Sequence, residues 1–531
     1  MPRQDAIRRQ LPLIEALRNP AVFGGDCSSV EVVETHISWV LLTGERAYKI
    51  KKAVALEFLD FTALESRHRY CLEELRLNRR LAPDLYLDVV AITGSAQQPA
   101  LRGSGAPIEY AVRMREFPQS ALLSRIAAAG GLATADIDAL AATVADFHGR
   151  IAVCRDDRHG APAEILRFAD DNFRQIAAAG GAPGDGAALA RLQAWTRREH
   201  AALHDVFAAR RSEGRVRECH GDLHLANVAR IDGAIKIFDG IEYSEPLRWI
   251  DVASEIAFTV MDLEDRGQPA YAHRFLDAWL EASADYGALA VLRYYVVYRA
   301  LVRAKVACLR ARQLPPGPAR DAMHREFHDY VDLAERASRP ASSGVVITHG
   351  FSGSGKTTVS QQLLESLGAV RLRSDVQRRR LFGAAPAGAS GLAAGRYAPE
   401  ATRATYLRLA DLARTVVASG RIALIDAACL ARWQRDLFRE LAASLRIPFA
   451  IVDCVAPEAL LRQRIEARRA AGNDPSEADA AVLAAQLAGA APLGDDEEAL
   501  TLRVDATDAG ATAMAALCGR ILERCAGAPP A

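Results

Sequence analysis

Two stretches of this sequence combine residue types at spacings that suit chemistry on phosphate groups. The first is Gly350-Phe351-Ser352-Gly353-Ser354-Gly355-Lys356-Thr357, followed by Thr358. Glycines let successive backbone N–H groups point into one concavity, and a helix starting there adds the positive end of its dipole. Gly350, Ser352, Gly353, Ser354, Gly355 and Thr358 would shape the cradle. Lys356 would reach the β- and γ-phosphates of ATP, and the Thr357 hydroxyl would ligate Mg2+. The second stretch runs from Glu218 to Tyr243, ECHGDLHLANVARIDGAIKIFDGIEY. Asp222 lies five residues before Asn227, the spacing of an H-x-D-x-x-x-x-N loop whose aspartate accepts the proton of a substrate hydroxyl. Asp232-Gly233, between two short apolar runs, predicts a type I′ hairpin. With those two residues at the turn, Asn227 faces Phe238 and lies beside Asp239, so an amide and a carboxylate meet as a Mg2+ site requires.

The elements that must carry these residues are also legible. An apolar, β-branched run from Val345 to Thr348 precedes the glycine loop, and a helical pattern, VSQQLLESL, follows it and stops at Gly368. Further apolar runs recur at Val370–Leu372, Ile422–Ile425, Phe449–Val455 and Leu500–Val504 with helical patterns between them. Five such strands predict an open parallel sheet flanked by helices, with ligands beyond its carboxyl edge. Asp375 is expected to end the second strand and Asp426 the third. Carboxylates there can hold Mg2+ or accept a proton. Upstream, the strand pattern SWVLLTGERAYKIKK puts Lys49 and Lys51 on one face, because strand side chains alternate. The helix SRHRYCLEELRLNRRL offers Glu73 and Glu74 as partners for them.

At 531 residues the chain exceeds a single ordinary core. The polar, Pro340-containing segment from Glu335 to Gly344 predicts a division into residues 1–336, a linker 337–343 and residues 344–531. Lys plus Arg equals Asp plus Glu at 66 each, so no global field favours nucleic acid or an anionic membrane. The N-terminus lacks an apolar stretch of secretory type, and no run is long enough for a membrane helix. The nine cysteines are scattered and predict reduced, structural thiols of a cytoplasmic protein.

Residues 344–531 resemble the P-loop kinases of the polynucleotide-kinase, zeta-toxin and gluconate-kinase kind, with AAA-type ATP binding. The resemblance makes Asp375, in Ser374-Asp375-Val376-Gln377-Arg378, the base toward a substrate hydroxyl, and Arg378 a cation that holds the substrate. It makes LLRQRIEARR a lid whose Arg464 and Arg468 close on the phosphates. Residues 30 to 335 resemble aminoglycoside phosphotransferases, whose catalytic loop reads much like His220-Gly221-Asp222-Leu223-His224 and Asn227. That likeness implies a two-lobed, protein-kinase-like α+β domain beside the α/β P-loop domain. Asp222 becomes its base and Asp239 a metal ligand with Asn227. Lys49, favoured over Lys51, becomes the phosphate lysine and Glu74, favoured over Glu73, its partner. Ile108–Pro118 becomes the interlobe connection, Asp251 a brace for the loop and His220 a structural residue. No G-x-G-x-x-G precedes Lys49, so the loop over the phosphates is either of another kind or poorly formed. The implied function is ATP- and Mg2+-dependent phosphoryl transfer to hydroxyls of small molecules at two sites. The alternative is a P-loop ATPase or nucleotide sensor coupled to a pseudokinase. The acceptors and the oligomeric state carry no readable signal.

Overall fold

The structure is a computed structural model that describes residues 2–24, 27–56, 59–155, 157–181, 184–339, 342–383, 398–471, 480–505 and 510–526. It divides into two compact units, Met1–Ala178 with Arg197–Asp262, and Ala179–Thr196 with Leu263–Ala531.

The first unit opens with helix α1 (Pro2–Ala16) and a six-stranded antiparallel sheet. Its strands are β1 (Glu31–Glu34), β2 (Ser38–Leu42), β3 (Arg46–Lys51), β4 (Tyr86–Gly94), β5 (Pro99–Leu101) and β6 (Glu109–Arg115). They are ordered β1-β2-β3-β6-β4-β5. Strand alternation decides what each face carries. Tyr48 and Ile50 of β3 join Trp39 and Leu41 against Leu13, Ile14 and Leu17 at the end of α1. Lys49 and Lys51 therefore point to the other face, toward helix α2 (Leu64–Asn78), which carries Glu74. Beyond the sheet lie helix α3 (Thr134–Arg150), a hairpin of β7 (Val228–Ile231) and β8 (Ala234–Ile237), and helix α4 (Val252–Asp265). The hairpin has the predicted register, Val228 opposite Ile237. Asp232 and Gly233 take φ of 51° and 76°, the two positive values a type I′ turn requires.

The second unit contains helices α5 (Pro269–Ser283), α6 (Leu289–Gln313) and α7 (Pro318–Ser338) and a five-stranded parallel sheet. Its strands are β9 (Gly344–His349), β10 (Val370–Arg373), β11 (Ile422–Asp426), β12 (Phe449–Val455) and β13 (Thr501–Asp505). Their order is β10-β11-β9-β12-β13, and every pairing is parallel. All five correspond to the predicted apolar runs. The helices are α8 (Lys356–Leu367), α9 (Ser374–Phe382), α10 (Pro399–Ala418), α11 (Arg432–Ser444), α12 (Glu458–Ala471), α13 (Ala480–Gly489) and α14 (Ala511–Ala526). Val359, Leu363 and Leu364 of α8 and Leu517 and Ile521 of α14 pack on Val346, Leu424 and Val452 of the sheet. Val345, Ile347, Ala423 and Ile451, which alternate with these, are equally buried, as strands covered on both faces must be.

One sequence expectation needs correction. Asp375 does not end β10; it lies in the first turn of α9, because the strand stops at Arg373 and the chain turns at once into the helix. The boundary between the two compact units lies upstream of the segment 337–343, of which residues 340 and 341 are outside the described residues. The cause is α5. Asp277 accepts the backbone N–H of Arg371 at 2.8 Å, so α5 covers the outer edge of β10. His273 meets the Glu365 carbonyl at 2.8 Å, and Arg274 pairs with the Glu365 carboxylate at 2.7 Å, which ties α5 to α8. An edge strand needs such a cover, since its outward N–H groups otherwise invite foreign pairing.

Candidate active sites

In the first unit the two lysines of β3 and the carboxylate of α2 form one cluster. Glu74 is fully buried and accepts Lys49 at 2.8 Å and Lys51 at 2.7 Å. Lys49 also reaches Asp239, and Lys51 reaches Glu242. Glu73 points elsewhere, to Arg76 and Arg248. Exposure separates the lysines: the Lys51 side chain is 0% exposed, whereas Lys49 is 10% exposed and its partner Asp239 45%. Lys51 is therefore sealed, and Lys49 stands at the rim. Burial disfavours charge on Lys49, but Asp239 and Glu74 outweigh it and hold its pKa well above the ordinary lysine value. Burial would raise Glu74, yet Lys49 and Lys51 bring it down to about 2.

The loop from His220 to Asn227 is built around its own hydrogen bonds. Asn227 Nδ2 donates to the backbone oxygen and to Oδ2 of Asp222, each at 3.0 Å, so the pair spaced five apart does meet. Phe238 N–H donates to Asn227 O at 3.0 Å, which continues the hairpin register to the residue before Asp239. Asp239 itself adopts φ of 64°, and its N–H donates to the Tyr86 hydroxyl at 3.1 Å. His220 is buried, which keeps its pKa below the usual imidazole value. Its Nε2 is 2.9 Å from Phe238 O, a structural tie between loop and hairpin. Asp251 takes a bidentate contact from Arg210 at 2.7 and 2.8 Å and caps Ala253 N–H, so it braces the start of α4 and not the loop itself.

The loop's direct supports are residues the sequence reading missed. Glu255 accepts Gly221 N–H at 2.7 Å, Thr259 donates to Leu223 O at 2.9 Å, and Asp262 accepts Leu225 N–H at 2.8 Å. They recur every three or four residues along one face of α4, a polar stripe hidden in an otherwise apolar helix. Glu255 also contacts His148 of α3 at 2.9 Å. Glu242, the second partner of Lys51, was missed too. The period-3.6 spacing of Glu255, Thr259 and Asp262 was the available signal; for Glu242 there was none short of the fold.

The connection over β1 and β2 is the tight turn at residues 35–37. Thr35 N–H and hydroxyl both bond Ser38 O, at 2.9 and 3.0 Å, and Ser38 N–H returns to Thr35 Oγ1 at 2.9 Å. No glycine-rich flap stands there.

In the second unit the glycine loop joins β9 to α8 at the carboxyl edge of the sheet. Gly353 and Gly355 take φ of 84° and 87°, and a Cβ on Gly353 would lie 2.7 Å from Leu461 O, so only glycine fits the turn at 353. Lys356 Nζ donates to Phe351 O at 2.7 Å, and desolvation lowers its pKa from the usual lysine value. Asp426 is buried at the end of β11, and its Oδ2 accepts the Ser360 hydroxyl at 3.0 Å. Thr357 and Thr358 are exposed in the first turn of α8, and Ser354 is buried. Asp375 is 3.7 Å from Arg378 and lies at the same sheet edge. Arg464 reaches Gly353 O at 3.4 Å. The Arg468 side chain lies outside the described residues. Oxygen donors suit Mg2+, and Thr357 and Asp426 supply them here as Asn227 Oδ1 and Asp239 do in the first unit.

The fold and the two sites define the class: a two-lobed, protein-kinase-like unit with a lysine–glutamate–aspartate cluster, joined in one chain to a P-loop unit. The AAA domain family matches residues 345–493. Rv2004c of Mycobacterium tuberculosis (strain ATCC 25618 / H37Rv) is 30% identical over 462 residues, 86% of this chain and 90% of that protein. Mb2027c of Mycobacterium bovis matches to the same extent, and this chain belongs to their family. Among solved structures, choline kinase from Cryptosporidium parvum Iowa II is 10% identical and covers 61% of this chain and 95% of its own, with a TM-score of 0.39. The APS kinase CysC of Mycobacterium tuberculosis, solved with AMPPNP and APS, is 21% identical over 35% of this chain and 98% of its own, with a TM-score of 0.25.

Proposed function

We propose that the chain is an ATP-dependent phosphotransferase with two ATP sites, each passing the γ-phosphoryl group to a hydroxyl of a small molecule. The observation that carries this reading is the meeting of Lys49, Glu74 and Asp239. A phosphate-holding lysine, the glutamate that orients it and a metal-binding aspartate must coincide in a kinase of this type. In the first site Lys49 positions the phosphates, Asn227 and Asp239 hold Mg2+, and Asp222 accepts the hydroxyl proton. In the second, the glycine loop and Lys356 grip the triphosphate with Arg464 and Arg468, Thr357 and Asp426 hold Mg2+, Asp375 is the base and Arg378 orients the acceptor. Mg2+ would offset the charge on the transferring group at both sites. Functionally the halves run 1–336 and 344–531, although α5 to α7 pack with the second.

The balance of 66 basic and 66 acidic residues supports small acceptors and not nucleic acid. Among the described residues no helix is long and apolar enough to cross a membrane. Seven of the nine cysteines are buried free thiols, which suits a reducing cytoplasm. The test is incubation of the full chain with γ-labelled ATP and panels of sugars, nucleosides and amino alcohols. Labelled product that survives Lys356→Ala but not Asp222→Asn belongs to the first site, and the reverse pattern to the second. Label released only as phosphate, whatever acceptor is added, would refute the transferase reading.

A further inference from the structure

We propose that Gln486 is a positioning residue for Lys356, acting through the Phe351–Ser352 peptide of the glycine loop; the inference rests on the reading of that loop as a nucleotide site. One peptide group is held from both sides. Its carbonyl, Phe351 O, accepts Lys356 Nζ at 2.7 Å, and its N–H, on Ser352, donates to Gln486 Oε1 at 2.9 Å. In a trans peptide the C=O and N–H point in opposite directions, so fixing one fixes the other. Gln486 therefore sets the plane of the peptide whose oxygen aims the ammonium.

The rest of the local packing makes this hold rigid. Gln486 lies one turn after Leu483 on α13, and Leu483 is fully buried with Leu461 and Ile465 of α12. Phe351, the same residue that offers its carbonyl to Lys356, packs its ring on that cluster. Leu461 O sits where a Cβ on Gly353 would fall, so the start of α12 rests directly on the loop. The two helices after β12 thus contact the phosphate cradle through a side chain, a backbone contact and two hydrogen bonds. The Arg464 bond, at 3.4 Å, goes to Gly353 O, whereas the Gln486 bond holds the peptide whose oxygen aims Lys356.

The experiment uses the full chain and an acyl phosphate of ATP, which passes its acyl group to an amine beside the phosphates and releases ATP. Acylation of Lys356 is followed by peptide mass spectrometry at saturating probe, so that changes in affinity do not enter. In the wild type we expect labelling of Lys356 that excess ATP suppresses. Gln486→Leu, which is apolar and lacks an acceptor, should slow that labelling roughly two- to tenfold, the factor one hydrogen bond represents. Gln486→Glu, which keeps an accepting oxygen, should restore it, with the thermal transition of all three proteins alike. Equal rates in the wild type and Gln486→Leu, or no recovery in Gln486→Glu, overturn the proposal. Absence of ATP-sensitive labelling in the wild type overturns the nucleotide reading and the proposal with it.

Discussion

The two lysines of β3 look alike in sequence and differ in what surrounds them. Lys51 is sealed between Glu74 and Glu242, so Lys51→Met leaves two buried carboxylates facing one remaining cation. Breaking a buried pair in this way costs about 3–5 kcal/mol, which a denaturant titration would read as an early unfolding transition. Lys49→Met, at the rim, should destabilise much less and instead abolish nucleotide protection of the first unit in hydrogen exchange. If Lys51→Met unfolded no earlier than Lys49→Met, the assignment of Lys51 as structural would fail. Asp222→Asn should lower turnover at the first site on the order of 10²-fold or more while nucleotide affinity stays within about twofold, as expected for loss of a general base. The sequence could place both lysines on one face, because alternation is a property of the strand. It could not choose between them, because burial depends on α2 and on Glu242, which lies 191 residues away.

At the scale of elements, the hairpin of β7 and β8 was readable to the residue, since an Asp-Gly turn fixes register by backbone geometry alone. Helix α4 was not: Glu255, Thr259 and Asp262 look like ordinary polar positions until the loop they hold is in place. Glu255→Ala should strand the Gly221 N–H and lose the contact with His148, at a cost of about 1–3 kcal/mol, measurable in the unfolding free energy. Helix α5 carries a pH effect. Burial raises Asp277 to about 6 despite the nearby Arg371 guanidinium. A carboxyl whose pKa is higher folded than unfolded binds its proton more tightly in the folded state. Its contribution to stability is complete below pH 4 and is lost as pH rises through about 6. The loss is roughly 3 kcal/mol at 1.36 kcal/mol per pKa unit. Asp277→Asn retains an oxygen for the Arg371 N–H, so the slope of stability between pH 4 and 6 should flatten in that variant. An unchanged slope would assign the titration to another group.

For the whole molecule, the sheet of the second unit was legible as five apolar runs, but its true extent was not. The sequence suggested a cut at 344, whereas α5 covers β10 and is tied to α8. We expect residues 263–531 to unfold cooperatively as a fragment. A fragment beginning at 344 should expose the β10 edge, aggregate at lower concentration and melt earlier. Equal stability of the two would remove α5 from the second fold. The helix from Gly186 to Ser212 was likewise invisible as a shared element, although Arg191 pairs with Glu335 of α7 at 2.7 Å. Residues 179–196 thus belong with partners that follow them in the chain, while residues on both sides of them complete the first unit. On the ribosome, the first unit has all its residues once Asp262 has emerged, with about half the chain still to be made. At ordinary elongation rates the 179–196 stretch then waits roughly 4–15 s for α7, a window in which a chaperone or a protease meets it alone.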